Sequence, residues 1–254
     1  TGKTYVERVL IKAIEHKIAI YAIHTALDNA FEGANAGLCD LLGLKNKAVL
    51  IPQAGTIKQL STYVPEKNAD AVRTALFESG AGSIGNYDNC SFNSPGTGTF
   101  KGNKNSNPVI GEKHILQKVT ETKITISFAK HLENDILKTL FSTHPYEEVA
   151  YEVITLENKN QHIGMGMVGQ LKEPMDETSF LNFIKSRFNC SIVRHSKLLD
   201  TPIQKVAVLG GSGSFAINAA KAAGADAFIT SDLKYHDFFS AENTLLLADI
   251  GHYE

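Results

Sequence analysis

The run Lys205-Val206-Ala207-Val208-Leu209, followed by Gly210-Gly211-Ser212-Gly213-Ser214 and then by Phe215 to Ala223, decides the reading of this chain. A short apolar run stopped by glycine reads as a strand. The segment after it reads as a helix ended by Gly224. Strand, glycine turn and helix together are the repeating unit of an α/β layer. Backbone amides at such a turn can hold an anion on the helix N-terminus. The spacing is neither GxGxxG nor GxxxxGK[ST], so a tight turn that lets helix and strand pack closely explains it equally well.

Toward the C-terminus, Ala227 to Thr230 is a second strand, followed by Ser231-Asp232 and a helix carrying Tyr235 and His236. Leu245 to Ile250 is the last strand, before Gly251-His252-Tyr253-Glu254. Upstream of the glycine turn, Thr178 to Phe188 reads as a helix and Ser191 to Arg194 as a short strand. The same texture stands at the N-terminus. There, a helix over 4–16, a strand over 18–23, a helix over 33–43 and a strand over 47–51 suggest a layer of parallel strands.

The middle differs. Gln59 to Val64 is strand-like, Ala69 to Gly80 an amphipathic helix, and Gly80 to Gly102 so rich in Gly, Asn and Ser that loops and hairpins are expected. Lys118 to Phe128 alternates as a strand, His131 to Phe141 is helical, and Val149 to Leu156 is another strand. This is the β-α-β plan, used twice, of a ferredoxin-like domain. The expected architecture is a discontinuous α/β domain, residues 1–59 and 159–254, interrupted by a ferredoxin-like α+β domain at 60–158.

Of 254 residues, 43% are apolar and 20% charged, with a formal net charge of −2. That composition suits a soluble globular protein and offers no electrostatic basis for binding nucleic acid or an anionic membrane. No apolar run approaches the ~20 residues of a membrane span, and the first residues lack the features of a secretory signal. Cys39, Cys90 and Cys190 are sparse and odd in number, as expected of reduced thiols in a cytoplasmic protein, each a small buried residue.

Ligands in α/β sheets bind at the carboxyl ends of strands. Three groups fall there: His24 with Asp28, Asp232 with His236, and His252. Imidazole and carboxylate suit zinc, iron or manganese. Two such ions can generate hydroxide for hydrolysis. The same residues also serve as acid/base groups, or as ordinary polar residues closing a strand. The run Thr143-His144-Pro145-Tyr146-Glu147-Glu148 is expected to be a solvated loop before a strand.

With His24-Thr25-x-x-Asp28 at one end and Asp249-Ile250-Gly251-His252-Tyr253-Glu254 at the other, the chain resembles the Nif-three-like dinuclear-metal family, the GTP cyclohydrolase 1 type 2 homologs. The segments ALFESGAGSIGNYDNCSF, GTGTF and HPYEEVAYEV resemble its long form, which carries a CutA/PII-like inserted domain. ITSDLKYHDFF resembles the family's segment before the last strand. The resemblance implies two divalent metal ions per subunit, with Asp28 as bridging ligand and His252 as ligand. It places His24 beside the site and makes His236 and Asp232 candidate site residues, with His24 or His236 moving protons. It further implies a homo-oligomer, a toroidal hexamer, and a metal-dependent hydrolase acting on a purine nucleotide. The alternative is a non-enzymatic regulatory or ligand-binding hexamer with the insert as sensor or cavity cap. Two features of the family pattern are not found. No His-His-Pro precedes His24, and Glu254 stands two residues after His252 where the family's Glu ligand stands four after. The chain therefore reads as a piece of a longer protein.

Overall fold

The computed structural model describes residues 2–252. In chain order its elements begin with α1 (Tyr5–Glu15), α2 (Thr25–Asn29), α3 (Ala34–Leu41), β1 (Lys45–Gln53), β2 (Ile57–Pro65), α4 (Glu66–Glu78), β3 (Phe92–Lys101) and β4 (Leu116–Ala129). They continue with α5 (Glu133–Thr143), β5 (Tyr151–Leu156), β6 (Asn160–Met175), α6 (Glu177–Arg187), β7 (Arg194–His195), β8 (Ile203–Ser212), α7 (Ile217–Ala222), β9 (Ala227–Ser231) and β10 (Leu246–Asp249). The fold is mixed α/β with two sheets. The chain divides into two compact units, Thr1–Pro52 with Gln161–Glu254, and Gln53–Asn160.

The sheet of the first unit has the order β1-β6-β8-β9-β10-β7. β8, β9 and β10 run parallel, while β6 and β7 pair antiparallel at either side of them. Val206 and Val208 of β8 bury on one face with Phe180 and Ile184 of α6 and Cys39 of α3. Their alternates Ala207 and Leu209 bury on the other face with Ile217 and Ala220 of α7. Helices on both faces leave no side of these strands for solvent, so the strands are apolar throughout rather than alternating. Every residue of β9 and β10 is buried. Each large aliphatic side chain enclosed this way contributes about 1.5–3 kcal/mol.

The second unit runs β2-α4-β3-β4-α5-β5, with sheet order β3-β4-β2-β5 and antiparallel pairing throughout. That is the ferredoxin-like plan. Leu60 and Val64 of β2 and Ile124, Ile126 and Phe128 of β4 pack under Val72 and Leu76 of α4 and Ile136 and Leu140 of α5.

Several expectations are corrected. The apolar run Ile18–Ile23 forms no strand; Ile18 and Ile20 are 61% exposed and Tyr21 87% exposed. A strand needs a partner for its backbone as well as strand-like residues, and none pairs here among the described residues. The opening therefore contributes one strand, β1, and no parallel pair; the parallel strands come from the C-terminal third. The glycine-rich 80–102 segment, by contrast, forms loops and the hairpin strand β3 as expected, and β3 tolerates Pro95 because it lies at the sheet edge. The strand near 191–194 is only β7, and the segment with Tyr235 and His236 is a 3-10 helix, Tyr235–Ala241. In the run 143–148, His144 is buried, not solvated. No helix among the described residues is long and apolar enough to cross a membrane.

Candidate functional site

β8, β9 and β10 end side by side, and the residues at or after each end meet. β8 closes with Gly210-Gly211-Ser212, where Gly211 has φ +78°, a left-handed conformation that favours glycine. β9 is followed by Asp232, itself at φ +60°. β10 is followed by Ile250, Gly251 and His252. His252 Nδ1 lies 2.6 Å from Asp232 Oδ2. A Cβ placed on Gly211 would stand 3.6 Å from Cε1 and 3.7 Å from Nε2 of the His252 ring, so the imidazole edge lies beside bare backbone.

The His252 and Asp232 side chains are 60% and 49% exposed, so their pairing adds little stability. Its effect is orientation. The Asp232 carboxylate accepts Nδ1–H, which leaves the lone pair on Nε2 for a proton or a cation. Beneath them Asp249 is buried and accepts from Leu233 N at 2.9 Å, Gly251 N at 3.0 Å and the Arg194 guanidinium. One carboxylate thus pins the residue after Asp232 and the residue before His252. A carboxylate this buried is tolerated because two backbone N–H groups and a guanidinium donate to it.

Asp28 lies half-buried in the short helix α2. Its carbonyl accepts from Asn35 Nδ2 at 2.9 Å, and Asn35 Oδ1 accepts from Gly210 N, also at 2.9 Å. Asn35, on α3 and only 1% exposed, therefore ties the Asp28 turn to the glycine turn that faces His252. His24 is exposed immediately before α2, with φ +40°. Its carbonyl accepts from Leu27 N at 3.0 Å. His236 is exposed, its ring 5.3 Å from that of Tyr235 and 6.5 Å from that of Phe239.

The fold thus brings Asp232 and His252 into direct contact and links Asp28 to their surroundings through Asn35. His24 and His236 form no side-chain hydrogen bond with these groups. Glu254 lies outside the described residues. Among the described residues no group of three or more His, Cys, Asp or Glu is disposed to hold a metal. Two residues that shape the site were not among the expected site residues: Asn35, and Asp249, which stood in the terminal motif without a role. Asn35 had a signal, being a polar residue between alanines in the apolar helix 33–43, where a buried amide must find partners.

A family profile described as Duf34/NIF3 (NGG1p interacting factor 3) matches residues 1–254. The chain belongs to this family. Among Duf34/NIF3 relatives it is 40% identical over 247 residues to the GTP cyclohydrolase 1 type 2 homolog of Halalkalibacterium halodurans, covering 96% of this chain and 66% of the relative. It is 40% identical over 248 residues to the protein of the same name from Bacillus subtilis, covering 97% of this chain and again 66% of the relative. The chain therefore spans just under two thirds of the length of these curated relatives. The crystal structure of a Bacillus cereus protein related to NIF3 matches with a TM-score of 0.83 and 39% identity, over 99% of this chain and 68% of that one. Staphylococcus aureus protein SA1388 matches with a TM-score of 0.71 and 28% identity, over 97% of this chain and 64% of that one.

Proposed function

We propose that the carboxyl end of the parallel strands contributes to a divalent-metal site, and that the site serves hydrolysis of a purine nucleotide in the cytoplasm. One observation carries this reading: the carboxylate of Asp232 holds His252 Nδ1, leaving Nε2 beside Gly211. Metal-bound histidines are oriented in this way, by a carboxylate on the other ring nitrogen. The names of the relatives supply the nucleotide.

Asp28 and His252 fit zinc, iron or manganese in kind, though not in number among the described residues. Two divalent ions bound there would supply an activated water at neutral pH. The chain's own residues do the rest. Asp232 fixes the His252 tautomer, Asn35 holds the Asp28 turn against Gly210, and His24 and His236 are the proposed proton carriers. The proposal includes the domain arrangement, in which a Nif-three-like α/β domain is interrupted by a CutA/PII-like insert. The test is metal content by elemental analysis together with formate release from GTP. Asp28→Ala should lower both with the fold retained. Unchanged metal content would overturn the ligand assignment, and absence of formate from fully loaded protein would overturn the reaction.

A second reading, a non-enzymatic ligand-binding homo-oligomer such as a hexamer, is favoured by the surface of α1. That helix buries only Ala13 and exposes Tyr5, Val9 and Ile14, and Ile18 and Tyr21 extend the apolar surface. Exposed apolar patches of this kind mark interaction surfaces. Light scattering for assembly state, with no turnover of GTP by loaded protein, would favour it.

A further inference from the structure

The second unit carries a half-open cavity of about 480 Å³ lined by its own residues. On its wall is Glu121 of β4, paired in register with Gly96 of β3 and only 7% exposed. Glu121 Oε1 accepts from the Tyr146 hydroxyl at 2.8 Å. No hydrogen bond to Oε2 and no ion pair of this carboxylate occurs among the described residues. Oε2 is not among the buried unpaired atoms, so it opens onto the cavity with its lone pairs free to accept from a ligand.

The position of that carboxylate is built in. A Cβ on Gly98 would stand 2.0 Å from Glu121 Oε2, so only a glycine at 98 leaves room for it. Tyr146 is held in turn by buried His144. Tyr146 N donates to His144 Nδ1 at 3.1 Å, which makes Nε2 the protonated nitrogen, donating to Tyr63 O at 3.1 Å. Burial and the Glu121 carboxylate raise the Tyr146 phenol above its ordinary range, so the hydroxyl stays a donor. Its ring meets that of Phe100 edge-on, with centroids 5.7 Å apart, and Val109 and Ile110 add apolar surface. The remaining charged groups at the cavity are Lys101, Glu147 and Glu148, so carboxylates outnumber ammonium groups three to one.

We propose that this cavity binds a small organic cation of the aryl-amidinium or guanidinium class, its planar N–H edge on Glu121 and its apolar body against Phe100 and Tyr146. A planar fork of N–H donors matches a carboxylate with free lone pairs, and the charge-assisted bond is the strong kind. The aromatic wall suits a flat cation. The site is independent of the strand-end metal site and stands or falls without it.

The whole chain is titrated with benzamidinium, and with benzoate as the anion of matching shape, by calorimetry and by backbone amide shifts. Saturable benzamidinium binding is expected, with shifts at Gly98, Phe100 and Tyr146 and none caused by benzoate. Glu121→Gln should weaken it about ten-fold or more, and Gly98→Ala, which keeps the charge but displaces it, should weaken it similarly. Three results would overturn the proposal: no saturable binding up to about 10 mM, equal binding of benzoate, or unchanged affinity in folded Glu121→Gln. The shift map of the unaltered protein decides the matter even if a variant fails to fold, because shifts confined to residues elsewhere would also overturn it.

Discussion

His252 Nδ1 and Asp232 Oδ2 stand 2.6 Å apart, although twenty positions separate the residues and a whole strand, β10, lies between them. Parallel strands place the residues after their carboxyl ends side by side, and buried Asp249 holds both flanking backbones. The pair is a product of topology, and its chemistry can be tested apart from stability.

Asp232→Ala removes the acceptor that fixes the His252 tautomer. Affinity for zinc or manganese should fall on the order of 10–100-fold. The thermal midpoint should hardly move, because the pair is exposed. Competition with a chromogenic chelator measures the first and calorimetry the second.

Asn35→Ala removes both bonds of the clamp between Asp28 O and Gly210 N. Leaving buried polar groups unpaired should cost about 1–3 kcal/mol, read by urea denaturation. Amide exchange should quicken at Gly210, which loses its acceptor.

Gly33→Ala tests the turn carrying Asp28 from the other side. A Cβ there would sit 1.8 Å from Leu27 O, a backbone atom that cannot swing aside. A destabilisation of about 1–3 kcal/mol is expected, with shifted amide resonances across residues 27–33.

His144 should make stability pH-dependent. Burial pushes its pKa below the ordinary histidine range, against the opposing effect of its bond to Tyr63 O. Above about pH 6.5 the ring is neutral in both folded and unfolded chain and the stability is fully present. As pH falls below that value the unfolded chain takes up a proton that the folded one resists, so stability is lost. Denaturation midpoints at pH 5 and pH 7 should differ, and the difference should shrink in His144→Gln.

Burial also pushes the Cys39 thiol up to about 12. At pH 8 the native thiolate fraction is then on the order of 10³-fold below that of an ordinary cysteine. Alkylation followed by mass spectrometry should label the half-exposed Cys90 first and Cys39 only in denaturant.

The apolar continuity of Lys205 to Leu209, Ala227 to Thr230 and Leu245 to Ile250 was enough to identify them as strands, and the structure covers them on both faces. Local residues can do this because burial on two sides is written into every position. The β-α-β-β-α-β order in the middle was legible for the same reason, through its alternation and its helical stripes. Ile18 to Ile23 misled because composition reports what a segment could pair with, while a strand exists only where a neighbouring backbone completes its hydrogen bonds. Glu121 gave no sign of being buried, since the absence of a side chain at Gly98, on the next strand, is what admits its carboxylate. The sequence by itself determined the family, the apolar strands and a set of candidate His and Asp residues. Only the tertiary structure decided which of them meet. Asp232 meets His252 through the parallel alignment of strand ends, and Asp28 is tied to Gly210 by the buried Asn35 side chain of α3, across chain separations that no local pattern encodes.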